Sequence, residues 1–178
     1  MRKILLFAFL LLPNLALAAP SDEDRLFDAL AKASSPEEAQ PIEQKLTALF
    51  KVSNSPSVDL LMTRAAAALA AADNQTARKL IDSVTDIAPS YAEGWRQRAH
   101  LQAAAGDDAG AMLSLQKAVA DNPRHFMAMS ELGDMLENYG DKAGALKLYR
   151  RVLALDPQME GAARHVRALE KEVEGEGI

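Results

Sequence analysis

Pro89, Pro123 and Pro157 stand 34 residues apart. A regular spacing of that length commits a chain to stacked copies of one small unit rather than to a single irregular core. Around the prolines the same residue classes recur. Ala65, Ala99 and Gly133 form one column of small residues and Ala77, Ala111 and Ala145 a second, where two helix backbones would have to approach closely. Between the columns lie Ala72-Asp73, Gly106-Asp107 and Gly140-Asp141. Glycine tolerates the left-handed residue that closes one helix, and aspartate caps the next. Each proline then ends a second helix. The unit is a helix-turn-helix hairpin, and three are predicted, over 58–91, 92–125 and 126–159. Ala72 departs from glycine and makes the first turn the least regular. Ser90-Tyr91-Ala92-Glu93 reads as a capping box for the helix after Pro89.

The remaining columns carry a family resemblance. Trp95, Ala99, Ala111, Leu115, Ala118 and Pro123 match Met129, Leu132-Gly133, Leu136, Ala145, Tyr149, Val152 and Pro157. The more worn first copy has Leu61, Ala65, Ala68, Ala77, Ile81, Val84 and Pro89. This order of a large residue, Leu-Gly, an aromatic, Ala, an aromatic and Pro resembles the tetratricopeptide repeat family. The resemblance spans Val58 to about Val173 and implies an all-α, right-handed superhelical solenoid. Trp95 falls in the family's large-residue column, where it packs between the helices of its hairpin.

The resemblance also implies where a partner would sit. In such arrays the second, fifth, ninth and twelfth positions of each first helix face a concave groove. Carried onto this chain they are Asp59, Met62, Ala66 and Leu69, then Glu93, Arg96, His100 and Ala103, then Met127, Ser130, Asp134 and Glu137. Matching positions of neighbouring first helices are expected side by side, which sets His100 opposite Asp134 and Arg96 near Ser130. Members that clamp a peptide's terminal carboxylate use Lys, Asn and Arg at the fifth and ninth positions. Only Arg96 would serve here, so a partner with an apolar anchor and mixed charges is expected instead. The rival is a spacer that associates with itself through its Ala-rich first helix, Arg64 to Ala72.

Both flanks of the array are helical by pattern. Residues 19–57 read as a divergent hairpin and linker: Leu26, Phe27 and Leu30 at helical spacing, then a second helix from Pro36 to about Val52. Ser35 is its N-cap and Glu38 completes a capping box. Pro41 predicts a kink or a late start. After Pro157, Ala162, Val166, Leu169 and Val173 form one stripe, so 160–174 is a capping helix with one wet side and 175–178 a frayed tail.

Arg2-Lys3, the apolar run Ile4–Leu12, a Pro13-Asn14 break and Ala16-Leu17-Ala18 have the order of a secretory signal, residues 1–18, cut between Ala18 and Ala19. The expected destination is the periplasm of a Gram-negative cell, with no stable membrane insertion after cleavage. The net charge of −5 includes Arg2 and Lys3, so the chain without them carries −7. Such a body is repelled by phosphate backbones, which argues against nucleic acid. The chain has no cysteine, hence no disulfide and no lipid-modified N-terminal cysteine. Enzyme signatures and cofactor motifs are missing. No two of His100, His125 and His165 share a helical face at ligand spacing, so no metal is expected. His125, in an inter-repeat turn, and His165, on the cap, are expected at the surface. The sequence therefore points to a non-catalytic module that docks a protein or peptide.

Overall fold

The computed structural model describes residues 20–173 and Gly175. The leader, its cleavage site at Ala18–Ala19 and most of the tail lie outside the described residues. Nine α-helices are found among the described residues, joined by short turns: α1 (Asp22–Leu30), α2 (Pro36–Phe50), α3 (Pro56–Ala70), α4 (Asn74–Ile87), α5 (Ala92–Ala104), α6 (Asp108–Asp121), α7 (Phe126–Asn138), α8 (Lys142–Leu155) and α9 (Glu160–Val173). None is long and apolar enough to cross a membrane.

Helices α3/α4, α5/α6 and α7/α8 are the repeating hairpins. Asp73, Asp107 and Asp141 each accept a hydrogen bond from the backbone N–H three residues on, at 3.0, 2.9 and 2.9 Å. Gly106 and Gly140 close the preceding helix with φ of 78° and 87°, and Ala72 does the same at 57°. The small columns are buried where first and second helices cross. Gly133 shows why: a Cβ there would lie 2.9 Å from the Tyr149 ring, too close without a shift of one helix.

After Pro89 the capping box does not form. The N-cap is Tyr91, without a side-chain cap, and Glu93 turns inward to other partners. At α2 the Ser35 side chain caps Glu38 N–H, but the Glu38 carboxylate reaches one residue further back, to the N–H and hydroxyl of Ser34 at 2.9 and 2.7 Å. The helix begins at Pro36 and continues through Pro41.

The hairpin α1/α2 does not extend the stack ahead of α3. Counting 34 residues back from Ala77 puts Glu43 in the column where Ala77, Ala111 and Ala145 are fully buried. An ionised side chain there would lose its water without a counter-charge. The hairpin lies instead across the turns that join successive repeats. Arg124 binds Glu23 and Asp24 at 2.8 and 2.7 Å and covers the Phe27 ring at 4.6 Å. The Gln158 amide donates to the Ala33 carbonyl at 2.9 Å. Phe50 stacks on His125 at 4.4 Å and meets Phe126 edge-on at 5.7 Å, and Tyr91 Oη donates to the Lys51 carbonyl at 2.8 Å. Phe27, Leu30, Leu46 and Phe50 thereby join one core with α5 to α9. At the far end α9 buries Ala162, Val166 and Leu169, and Arg150 holds its Glu170 at 2.8 Å.

Candidate functional site

The groove along the first helices has three regions of different chemistry. Between α3 and α5 lies an apolar cavity of about 360 Å³ floored by Met62, Ala66, Leu69 and Ile81, with Lys51, Glu93 and Gln97 at its sides. Leu69 is 39 % exposed, so part of this apolar floor is open to a ligand.

In the middle, the expected groove residues are tied to one another. Glu93 is 1 % exposed and accepts from Gln97 Nε2 at 2.7 Å, Arg96 at 3.1 Å and His125 Nε2 at 3.1 Å. Burial pushes its carboxyl up, but the His125 bond, the Arg96 charge and the Gln97 bond outweigh it and hold the pKa below the usual range. Its carboxylate is a structural anion rather than a surface contact. His125, expected at the surface, is 1 % exposed. Its Nδ1 accepts from Ala128 N–H at 3.3 Å, capping α7; Nε2 therefore carries the proton donated to Glu93. Phe50 covering the ring is what removes it from water.

Arg96 reaches Glu131 at 2.7 Å as well as Glu93, and His100 Nε2 lies 3.0 Å from the other Glu131 oxygen. His100 thus faces Glu131 rather than Asp134, and Arg96 meets Glu131 rather than Ser130: one carboxylate on α7 sits between two α5 side chains a turn apart. Burial raises the Glu131 pKa, and the His100 and Arg96 bonds more than reverse it.

The last region is acidic. Tyr149 Oη donates to Asp134 at 2.6 Å, with a Glu137 carboxylate oxygen 3.2 Å away. His165 comes from α9, stacks on Tyr149 at 4.6 Å and places Nδ1 2.7 Å from Glu137; as expected it stays open to solvent, with 39 % of its side chain exposed, while bordering the groove. Burial first, then the Asp134 bond, pushes the Tyr149 hydroxyl upward. Met127 lies 3.8 Å from the Thr47 hydroxyl of α2, and Ser130 is half-buried. Trp95 is half-buried, its indole N–H donating to the Pro89 carbonyl at 2.8 Å with the Arg98 guanidinium 5.3 Å from its ring. Among the described residues no group of three or more His, Asp or Glu is placed to hold a metal ion.

Sequence reasoning missed Glu131 and the burial of His125; it had Phe50 broadening the apolar face of Ile42, Leu46 and Leu49 on α2, but not the surface that this face covers. One signal was present: Tyr91, His125 and Met159 recur at 34 residues just after the prolines, a column of bulky residues that needs something to cover it.

No protein-family model matches the sequence. A TPR repeat-containing protein of Rhizobium etli is 30% identical over 152 residues, covering 85% of this chain and 74% of that protein. Among solved structures, the first TPR of Spaghetti (RPAP3), bound to the HSP90 peptide SRMEEVD, superposes with a TM-score of 0.60 at 22% identity over 67% of this chain and 95% of that one. The Sgt2 TPR domain from Aspergillus fumigatus gives 0.58 at 23% over 67% and 81%, and MamA gives 0.59 at 15% over 89% and 88%. At these identities the structures show the fold alone. With the 34-residue columns, the paired helices and the Rhizobium relative together, the chain belongs to the tetratricopeptide repeat family.

Proposed function

We propose that the protein is a non-catalytic adaptor of the bacterial periplasm that holds a segment of a partner protein in the groove of its first helices. The observation that carries this reading is the cavity between α3 and α5, where Met62, Ala66 and Leu69 meet a lip of charged and amide groups. Pockets of that composition suit an apolar side chain flanked by polar backbone. The solved RPAP3 domain holds a peptide, which supports peptide docking as a use of the fold. A terminal carboxylate is not the feature recognised here, because Arg96 is committed to Glu93 and Glu131. The periplasmic assignment rests on the Arg2-Lys3, apolar-run and Ala16-Leu17-Ala18 order.

Photo-crosslinking from position 103 in intact cells, followed by mass spectrometry, tests both parts. The chain with Ala66→Asp and Leu69→Asp should lose its crosslinked partner while keeping its helicity, and Arg78→Glu on α4 should not. The wild-type chain should be recovered from the periplasmic fraction with Ala19 as its first residue. Undiminished crosslinking by the groove variant would leave the self-associating spacer as the reading, and a chain retaining Met1 would remove the export assignment.

A further inference from the structure

The two ends of the array are finished differently. Within the stack, the third, seventh and tenth positions of a first helix receive the second helix of the hairpin before it. On α5 these are Gly94, Arg98 and Leu101. A Cβ on Gly94 would lie 2.8 Å from Val84, Arg98 pairs with Asp82 at 3.0 Å, and Leu101 packs with Ala77 and Ile81. On α7 the corresponding Ala128 and Leu132 are buried. On α3 the same positions are Leu60, Arg64 and Ala67, and all three are exposed, Leu60 by 51 %.

The hairpin that precedes α3 in the chain lies across the inter-repeat turns and leaves this face bare. The other end is closed by α9, which turns Arg164, Arg167 and Lys171 outward, as a terminal cap should. A face with the chemistry of an internal contact therefore stands at the open end.

We propose that this face of α3 docks an amphipathic helix of a partner protein, lying antiparallel to α3 as α4 lies to α5. The contacts of α4 give its chemistry. Ile81 meets Leu101, Asp82 meets Arg98 and Val84 meets Gly94. Against α3 the bulk is exchanged, since Leu60 replaces Gly94 and Ala67 replaces Leu101. The partner helix carries a large apolar residue opposite Ala67, a carboxylate opposite Arg64 and a small residue opposite Leu60. No carboxylate of this chain pairs with Arg64 among the described residues. A second copy is a poor occupant: its α4, α6 and α8 are covered by α5, α7 and α9, and a two-fold pairing of α3 with itself would bring the two Arg64 side chains together.

The test uses the full chain and a stapled, fluorescently labelled peptide of residues 74–88 carrying Val84→Ala, which keeps Ile81 and Asp82; the staple is needed because so short a helix is marginal alone. Polarisation should show saturable binding that Leu60→Asp abolishes. Arg64→Glu should weaken it about fivefold, the scale of one exposed ion pair, and a peptide with Asp82→Lys should recover the loss. Circular dichroism of both variants should match the wild type. Absence of saturable binding, or equal binding to the Leu60→Asp chain, overturns the proposal. A dimer in solution that Leu60→Asp dissociates also overturns it, because the occupant would then be a second copy. The groove reading stands or falls separately on Ala66 and Leu69.

Discussion

Ala72 and His125 show what a single position can and cannot announce. The three turns are equivalent in backbone, yet Ala72 holds a φ of 57° where Gly106 and Gly140 hold theirs without a Cβ. A left-handed L-residue costs about 1–2 kcal/mol, and the extra freedom of glycine in the unfolded chain returns about 0.4–1 kcal/mol of that. Ala72→Gly should therefore stabilise the protein by roughly 0.5–1 kcal/mol, read as a raised urea midpoint with an unchanged slope; a lowered midpoint would mean that the turn relaxes in solution. This departure was visible in the sequence because its column-mates are glycine. The polar partners were not. Matching positions put His100 opposite Asp134, but adjacent first helices are offset, so Arg96 and His100 both reach Glu131. His125 follows a proline in a turn, which usually means exposure, and only the three-dimensional return of Phe50 buries it.

At the scale of elements, α3 to α9 were legible because each column repeats the physical demand that produced it: small where helices cross, left-handed at the turn, capped by aspartate. The helices α1 and α2 were legible as helices and not as to where they pack, since nothing local tells a hairpin which surface it will cover. The misplaced Glu43 was the clue against simple stacking, and it sets the behaviour of the α2 contact. Asp156 is fully buried, and its Oδ2 finds no donor among the described residues; a proton on the neighbouring Glu43 carboxyl would supply one. Burial first, then the charge of Asp156 and the hydrogen bond to it, raises the Glu43 pKa; burial also raises that of Asp156, against the Gln158 N–H and Glu43. With pKa values above those of the unfolded chain, the folded state holds the extra proton, so this contact loses stability as pH rises from the ordinary carboxylate range, about 4, towards neutrality. Glu93 and Glu131, with lowered pKa values, run the other way and lose their contribution as pH falls. Glu43→Gln replaces the shared proton with a permanent N–H donor. Its melting temperature should match that of the wild type near pH 4 and exceed it at pH 7; a difference that stays constant across that range would show that Glu43 and Asp156 do not share a proton.

The molecule as a whole is unevenly held. One core runs from Phe27 and Phe50 through α5 to α9, while the first hairpin has two small clusters, one around Ala65, Ala77 and Ile81 and one around Val58, Val84 and Tyr91. Of α3 only Val58 and Ala65 are buried, and among the described residues its outer face has no neighbour on the side away from α5. Solenoid stability is close to a sum of hairpin and interface contributions, and the hairpin with one interface and the smallest core should open first. Native-state hydrogen exchange should place the α3–α4 amides at the lowest opening free energy among the hairpins and α5 to α8 at or near global unfolding. Helices α1 and α2 should exchange with the latter group although they come first in the chain, because Phe27, Leu30, Leu46 and Phe50 belong to the large core. Exchange of α1 and α2 ahead of α3 and α4 would show that the hairpin across the turns is an appendage, and the buried Glu93–His125 pair beneath Phe50 would then have to be open to water as well. The stapled helix proposed for the open end adds a second reading to the same measurement: once bound, it should slow exchange in α3 and α4 and leave α7 to α9 unchanged.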